Sequence, residues 1–208
     1  MLGYLLGLAG LFGVLGFLWL TLGIRRISAV SIGEPIGERT KEALLLIDLQ
    51  TVFWDHGPYS DAAKQSAKTA VLHEVDAAKA QGHHVVALRQ EWSIPSTKAV
   101  AQLAMKGQAI KGSAGTELAT PFAGLADHVL VKRVQDAFET GELDALLAKL
   151  DVGKLRLAGL DLNYCVKNTA LAARNRGYEV SVVSNATLSS STRNQAEQQL
   201  AAHGVVLH

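Results

Sequence analysis

Short, continuous runs of apolar residues alternate with longer amphipathic stretches along the chain from about residue 43 to its end. The runs at 43–48 and 85–88 are typical of strands buried on both faces, and further strands are predicted at 128–132, 155–160, 179–183 and 205–207. Apolar residues at helical spacing lie between several of them, at 60–81, 142–150, 164–176 and 192–203. This alternation predicts a three-layer α-β-α fold around a mostly parallel sheet of about six strands.

One long stretch interrupts the alternation of strands and helices. Residues 91–127 contain Pro95, Pro121 and several glycines, and they show little regular periodicity. Excursions of this length in a compact domain are usually functional. We therefore expect short helices here and a contribution to a ligand site, which in such sheets lies beyond the carboxyl ends of the strands.

The amino-terminal segment has a different pattern. Residues 1–24 carry no charged side chain, and as a helix they would be about 36 Å long, enough to cross a bilayer core of about 30 Å. Arg25 and Arg26 follow the apolar run, whereas a signal peptide carries its positive charge ahead of it. The pattern predicts a single-pass transmembrane anchor at 1–24, a tether at 25–41 and one globular domain at 42–208. The positive-inside rule then places this domain in the cytoplasm.

Composition narrows the function classes further. The chain has 208 residues and a formal net charge of +1, so it lacks the basic excess that a nucleic-acid-binding surface needs. Its single cysteine, Cys165, excludes an intrachain disulfide. A lone cysteine is either a small buried apolar residue or a reactive thiol, and composition alone favours the first.

Three residue types with complementary chemistry stand at the ends of predicted strands. Asp48 follows the first strand, Lys132 ends the third, and Cys165 lies in the first turn of the helix after the fourth. A helix N-terminus and a nearby cation favour a thiolate, and an aspartate can take the thiol proton and pass it to a leaving amine. Taken singly, each residue has a plainer interpretation: a turn aspartate, a solvated lysine and a core cysteine. Together, the catalytic and the structural interpretations have about equal weight.

Several segments resemble the isochorismatase-like cysteine hydrolases, which include nicotinamidases, N-carbamoylsarcosine amidohydrolases and ureidoacrylate amidohydrolases. LLLIDLQTVF contains Asp48 and Phe53, and KGSAGTEL is similar to a glycine-rich run of the family. VLVKRVQDAF contains Lys132, and AGLDLNYCVKNTALAARNRGYEV resembles the nucleophile segment around Cys165. The order and spacing of the three residues agree with the family, and the resemblance covers nearly all of the domain at 42–208.

The resemblance implies a catalytic triad of Asp48, Lys132 and Cys165 that works through a thioester intermediate, later hydrolysed by water. It also implies a cis peptide bond between Leu160 and Asp161. The backbone N–H groups of Asp161 and Cys165 would then bind the oxyanion. Family members are often oligomeric, so a homo-oligomer is compatible with the resemblance.

The sequence departs from the family pattern at a few positions. Asp161 and Leu162 stand where the family usually has a small residue and a threonine, and Asp136 stands where it often has serine. Nicotinamidases of the family hold a metal through Asp and His after the second strand, whereas this chain has Gln-Glu-Trp-Ser at 90–93. We therefore expect no metal and no other cofactor, and nicotinamide becomes a less favoured substrate.

The leading hypothesis is hydrolysis of a C–N bond in a small amide, carbamoyl or ureido compound, with Phe53, Trp92 and Tyr164 lining the pocket. One alternative is vinyl-ether hydrolysis of isochorismate, although relatives with that activity can lack the cysteine. Another is a membrane-tethered pseudoenzyme that binds a metabolite or a partner protein, which the unusual pair at 161–162 favours. The expected partners are a small-molecule substrate and, through the amino-terminal helix, a membrane.

Overall fold

The computed structural model describes residues 2–208, with side chains from residue 13 onward. The helices are α1 (Leu2–Ser28), α2 (Thr51–Trp54), α3 (Asp61–Ala80), α4 (Pro95–Ala104), α5 (Glu142–Lys149), α6 (Lys167–Asn175) and α7 (Asn194–Ala202). A 3-10 turn spans Thr120–Phe122, and a π-helical turn at Leu162–Val166 leads directly into α6. The strands are β1 (Lys41–Ile47), β2 (His84–Gln90), β3 (His128–Lys132), β4 (Val152–Gly159), β5 (Glu179–Thr187) and β6 (Val206–Leu207).

The six strands form one sheet in the order β3-β2-β1-β4-β5-β6, and every neighbouring pair is parallel. This confirms the predicted three-layer fold and its sheet of six strands. From β1 the next strands along the chain, β2 and β3, add to one side of the sheet, and from β4 the next strands, β5 and β6, add to the other side. The connections from these two strands therefore leave toward opposite faces, and a crevice opens beyond their carboxyl ends, where open parallel sheets bind ligands.

The side chains of β1 show how the two faces of the sheet are covered. Ala43, Leu45 and Ile47 belong to one buried apolar cluster, which also contains residues of α5, α6 and α7. Leu44 and Leu46 point the other way, into a second cluster with the apolar residues of α3. Successive residues of a strand face opposite sides of the sheet. Because both faces of β1 are covered by helices, its buried positions 43–47 are all apolar in the sequence.

Gly159 ends β4 at the point where the chain turns toward the cysteine. Its φ is +121°, in a region that side chains with a Cβ rarely adopt, and a Cβ there would lie 2.1 Å from the Ile47 carbonyl oxygen. Glycine thus lets β4 approach β1 closely. This approach places the turn after β4 beside Asp48, the residue that follows β1.

The prediction of a transmembrane anchor, and with it that of a single-pass membrane protein with a cytoplasmic domain, is wrong. Among the described residues, no helix combines the length and the apolar composition that crossing a membrane requires. The end of α1 packs on the domain instead, where Ile27 is buried. Residues 1–12 of the predicted span lie outside the described side chains.

The segment predicted as a tether lies along the domain surface. Its residues 29–40 contain no helix or strand. The Ile36 N–H donates to the Arg176 carbonyl, and the Arg176 guanidinium donates to the carbonyls of Ser31 and Ile32. Arg176 is itself buried and paired with Asp144 of α5 at 2.7 Å. The segment is therefore bound to the helical layer that contains α5 and α6.

Candidate active site

Asp48, Lys132 and Cys165 come together beyond the carboxyl ends of β1, β3 and β4. The Lys132 ammonium nitrogen lies 3.0 Å from Asp48 Oδ2 and 3.2 Å from the Cys165 sulfur. All three residues are buried, with exposed fractions of 3% for Asp48, 1% for Lys132 and 9% for Cys165. A buried lysine and a buried carboxylate are rare without a partner, and here each is the partner of the other.

The backbone aims each of the three side chains at the same point. Asp48 adopts a left-handed conformation with φ +53° directly after β1, and its N–H donates to the Leu88 carbonyl at 2.9 Å. Aspartate tolerates this conformation better than most residues with a Cβ. Lys132 is the last residue of β3, and Cys165 lies in the π-helical turn, a form often found at functional sites.

Two buried glutamines form a further part of the site, and sequence reasoning assigned them no role. Gln90 Oε1 accepts a 2.6 Å hydrogen bond from the Lys132 ammonium group. The Gln50 side chain accepts from the Gln90 N–H at 2.6 Å and donates to the Gln90 carbonyl at 3.1 Å. Gln50 therefore fixes the end of β2, and Gln90 helps to fix Lys132. One sequence signal could have found Gln90. It is the last residue of β2, so its side chain lies at the same edge of the sheet as Asp48 and Lys132.

Two polar atoms of this cluster have no hydrogen-bond partner among the described residues. They are Asp48 Oδ1 and Gln90 Nε2, and both are buried. Leaving a buried polar group unpaired costs about 1–3 kcal/mol. Asp48 Oδ1 is an acceptor and Gln90 Nε2 is a donor, so together they offer complementary contacts to a group that enters the site.

Burial dominates the protonation equilibria of the cluster. It raises the pKa of the Cys165 thiol far above its usual range; Asp48 adds to this effect and Lys132 opposes it. Burial also raises the pKa of Asp48, against the opposing charge of Lys132. Burial disfavours the charge on Lys132, but Asp48 and Cys165 outweigh it and the Lys132 pKa is raised. The closed site therefore favours a neutral thiol beside a charged lysine, rather than the thiolate that the helix N-terminus suggests.

The raised thiol pKa predicts a pH dependence of stability. The unfolded chain releases the Cys165 proton near its ordinary pKa of 9.0, whereas the folded protein retains it. The unfolded state is therefore favoured progressively as pH rises above about 9, by up to about 1.4 kcal/mol per pH unit. Urea unfolding of the wild type and of Cys165→Ser, from pH 7 to 10.5, measures the difference. We expect the wild-type stability to fall relative to the variant above pH 9. Parallel curves would contradict the assignment of a buried neutral thiol.

The turn before Cys165 is held by the side chain of Asp161. The Leu160–Asp161 peptide bond is cis. The Asp161 carboxylate accepts from the Asn163 N–H at 2.8 Å, from the Ser190 N–H at 2.6 Å and from the Tyr59 hydroxyl at 3.1 Å. Three donors stabilise the negative charge that the family pattern lacks at this position. The carboxylate thereby caps the π-helical turn and connects it to the loop after β5.

Backbone N–H groups around this turn can serve as oxyanion donors. None of the described residues accepts a hydrogen bond from the Asp161 N–H. The Tyr164 and Val166 N–H groups donate to the Asp161 carbonyl instead, at 3.1 and 3.2 Å. A backbone amide without an internal partner is free to donate to a group that enters the site, and an oxyanion role for Asp161 stays a prediction.

Comparison with known proteins supports a family assignment. The isochorismatase domain model matches residues 42–206. The chain belongs to the isochorismatase family. This membership confirms the predicted isochorismatase-like resemblance and the predicted enzyme class, a hydrolase.

Solved structures of amidases share the fold of this isochorismatase domain. Pyrazinamidase/nicotinamidase from Streptococcus mutans is 25% identical, with a TM-score of 0.68, and the match covers 81% of this chain and 100% of that one. N-carbamoylsarcosine amidase from Thermoplasma acidophilum is 23% identical, with a TM-score of 0.69 and coverage of 81% and 95%. Pyrazinamidase from Pyrococcus horikoshii, solved in complex with zinc, is 20% identical, with a TM-score of 0.68 and coverage of 81% and 99%.

The zinc complex of the Pyrococcus protein raises the question of a metal site in this isochorismatase domain. Among residues 13–208, no group of three or more His, Cys, Asp and Glu side chains is placed to hold a metal ion. After β2, Glu91 is paired with the Arg89 guanidinium at 3.1 Å, and Trp92 is buried in an apolar cluster. The donor set at this position does not fit a divalent metal.

The three predicted pocket residues have different surroundings in this isochorismatase domain. Trp92 is buried in an apolar cluster that includes Ile27 at the end of α1, and Phe53 packs against the same cluster. Tyr164 is 49% exposed beside the cysteine. Phe53 and Trp92 thus lie together near the polar site, whereas the Tyr164 ring faces solvent. Their role in substrate binding stays a prediction.

Proposed function

We propose that this isochorismatase-family hydrolase cleaves a C–N bond in a small amide, carbamoyl or ureido compound, with Cys165 as the nucleophile. The observation that carries the proposal is the buried contact of Lys132 with both the Asp48 carboxylate and the Cys165 sulfur, at 3.0 and 3.2 Å. A nucleophile, a base and a cation within hydrogen-bonding distance form the arrangement that covalent catalysis requires.

In the first half of the reaction, the thiol proton moves to Asp48 while the sulfur attacks the substrate carbonyl carbon. Because the resting thiol is neutral, this transfer accompanies the attack rather than preceding it. The carbonyl electron pair moves to oxygen, where the Asp161 and Cys165 N–H groups stabilise the charge. The intermediate then collapses: the C–N bond breaks, the amine leaves with the proton from Asp48, and a thioester remains.

In the second half, water attacks the thioester carbonyl and gives a proton to Asp48. The C–S bond breaks, the acid product leaves, and the sulfur recovers its proton from Asp48. Lys132 stays charged through both halves because Asp48, Cys165 and Gln90 all surround its ammonium group. Its charge stabilises the sulfur whenever negative charge develops there. Gln90 acts as a positioning residue for Lys132.

The test is a panel of primary amides, N-carbamoyl amino acids and ureido acids incubated with the full chain. We expect release of ammonia or amine from at least one class. Acid quenching followed by intact-mass analysis should show an acyl adduct on the wild type and none on Cys165→Ala. Because the chain has one cysteine, a thioester has only one place to form.

Hydrolysis without an adduct, at a rate shared by Cys165→Ala, would contradict a covalent mechanism. Absence of any turnover across the panel, in a protein that nevertheless binds panel compounds, would favour a binding protein. Vinyl-ether hydrolysis is tested by adding isochorismate to the same panel.

A further inference from the structure

The end of α1 and the residues after it occupy a place beside the active site. The family model begins at residue 42, so this segment lies outside the match. Ile27 is only 4% exposed and belongs to the apolar cluster that contains Val52 and Trp92, and Leu20 packs against the same cluster. Val52 follows Asp48 by four positions and Trp92 follows Gln90 by two. The cluster therefore borders the polar site.

Three hydrogen bonds fasten the segment to the residues around Lys132 and Cys165. The Gln135 N–H donates to the Ile27 carbonyl at 3.0 Å, and the Asn168 side-chain amide donates to the Ser28 carbonyl at 3.3 Å. The Ser31 N–H donates to the Asp136 carboxylate at 2.8 Å. Asp136 stands where the resemblance often implies a serine. The unusual aspartate thus binds the segment that the family model does not include.

The residues that bind this segment are also connected to Lys132 and to the helix that follows Cys165. The carbonyl of Val134, next to Gln135, accepts a 3.3 Å hydrogen bond from the Lys132 ammonium group. Asn168 also donates to the Gln135 side chain at 2.8 Å and lies one helical turn beyond Cys165. A displacement of the segment would therefore loosen the loop after β3, on which one of the Lys132 contacts depends.

We propose that residues 20–31 form one wall of the substrate pocket and limit the size of the group that reaches Cys165. Asp136 and the buried Ile27 hold this wall in place. The proposal rests on Cys165 as the reactive residue of the proposed function and adds a specificity element to it. Its consequence is a preference for small, compact acyl groups, because Leu20 and Ile27 pack into the apolar cluster that contains Trp92 and would have to move for a larger group.

The experiment compares the alkylation of Cys165 by a small and a bulky reagent of the same chemistry. N-methylmaleimide and N-(1-pyrenyl)maleimide both consume the thiolate, so the ratio of their rates cancels the thiolate fraction and reports access alone. The full chain is used, and intact mass measures the labelling of the single cysteine. The variants are Ile27→Ala and the matched control Ile24→Ala, since Ile24 lies on the same helix and is 55% exposed.

We expect Ile27→Ala to raise the bulky-to-small rate ratio by about tenfold, because it removes a buried side chain beside Trp92. Ile24→Ala should leave the ratio at the wild-type value. A thermal scan confirms that each variant is folded. If Ile27→Ala does not fold, Asp136→Ser serves instead. It replaces the carboxylate that accepts the Ser31 N–H with a shorter hydroxyl side chain, and it introduces the residue that the family often has.

If Ile27→Ala is folded and its bulky-to-small rate ratio equals that of the wild type, the proposal is overturned. If Ile27→Ala does not fold, an unchanged ratio in Asp136→Ser overturns it. An equal rise in Ile24→Ala would overturn it too, since the effect would then not depend on the buried contact. Alkylation needs only an accessible thiol and no turnover. A raised ratio in a protein that hydrolyses nothing would therefore support the wall while contradicting the proposed function.

Discussion

Replacing Cys165 with serine should lower the rate of hydrolysis at saturating substrate by at least about 10⁴-fold, the size of loss seen when a covalent nucleophile is removed. A serine hydroxyl is a far weaker acid than a thiol, so Asp48 would have to accept a proton that is bound much more tightly. The measurement uses the panel compound that the wild type hydrolyses fastest. The Michaelis constant should change little, because the backbone donors and the pocket stay in place.

The control for this prediction is Cys165→Ala, which removes the nucleophile without offering a hydroxyl. Both variants should be inactive to a similar extent and should unfold cooperatively. A serine variant within about tenfold of the wild-type rate would show that the residue at 165 is not the attacking group.

Replacing Lys132 with methionine should reduce both activity and stability. The change leaves Asp48 buried without its counter-ion, and breaking a buried ion pair from one side typically costs about 3–5 kcal/mol. Asp48 can avoid part of this cost by taking up a proton, and burial already raises its pKa. The raised pKa of Asp48 favours the folded state when the carboxyl is protonated, which is complete below its ordinary pKa of 3.8. This contribution is lost as the pH rises through the higher pKa of Asp48 in the folded protein. The loss in urea unfolding should therefore be larger at pH 8 than at pH 5.

Two further variants give the prediction its controls. Lys154 is also a strand lysine with a carboxylate partner, Glu179 at 2.9 Å, but its side chain is 45% exposed. Lys154→Met should leave the unfolding midpoint nearly unchanged, because exposed ion pairs contribute little. The double variant Asp48→Asn with Lys132→Met removes both charges and should recover part of the lost stability. Equal losses for Lys132→Met and Lys154→Met would contradict the buried pair.

Much of the site follows from local sequence patterns. Asp48, Lys132 and Cys165 each end or follow a strand that is rich in apolar residues. In a parallel sheet the carboxyl ends of all strands lie at one edge, so the sequence places these residues at the same edge. The strand order β3-β2-β1-β4, which the sequence did not predict, and the length of the Lys132 side chain bring them into contact. Gln90 has the same position after β2, but glutamine has no titrating group, and only its 2.6 Å contact with Lys132 reveals its place in the site.

The effect of Asp161 could not be derived from sequence. An acidic residue beside an oxyanion site is unfavourable in isolation, yet its carboxylate receives three hydrogen bonds, from residues 59, 163 and 190. Two of these donors lie far along the chain, on the segment after α2 and on the loop after β5. Local patterns carry no information about such partners, because they depend on how separate elements pack.

The amino-terminal helix also shows that local sequence patterns do not determine how an element packs. The composition and length of the uncharged run match a membrane span. They carry no information about the packing of the end of α1 on the domain, where Ile27 is buried and Leu20 contacts the same apolar cluster. The sequence by itself determined the strands, the parallel sheet and the edge at which the reactive residues meet, since these depend on periodicity over a few residues. Tertiary structure decided where the end of α1 docks, which groups surround Lys132 and how burial shifts the pKa of Cys165. Each of these depends on contacts between residues far apart in the chain, and a local pattern cannot specify them.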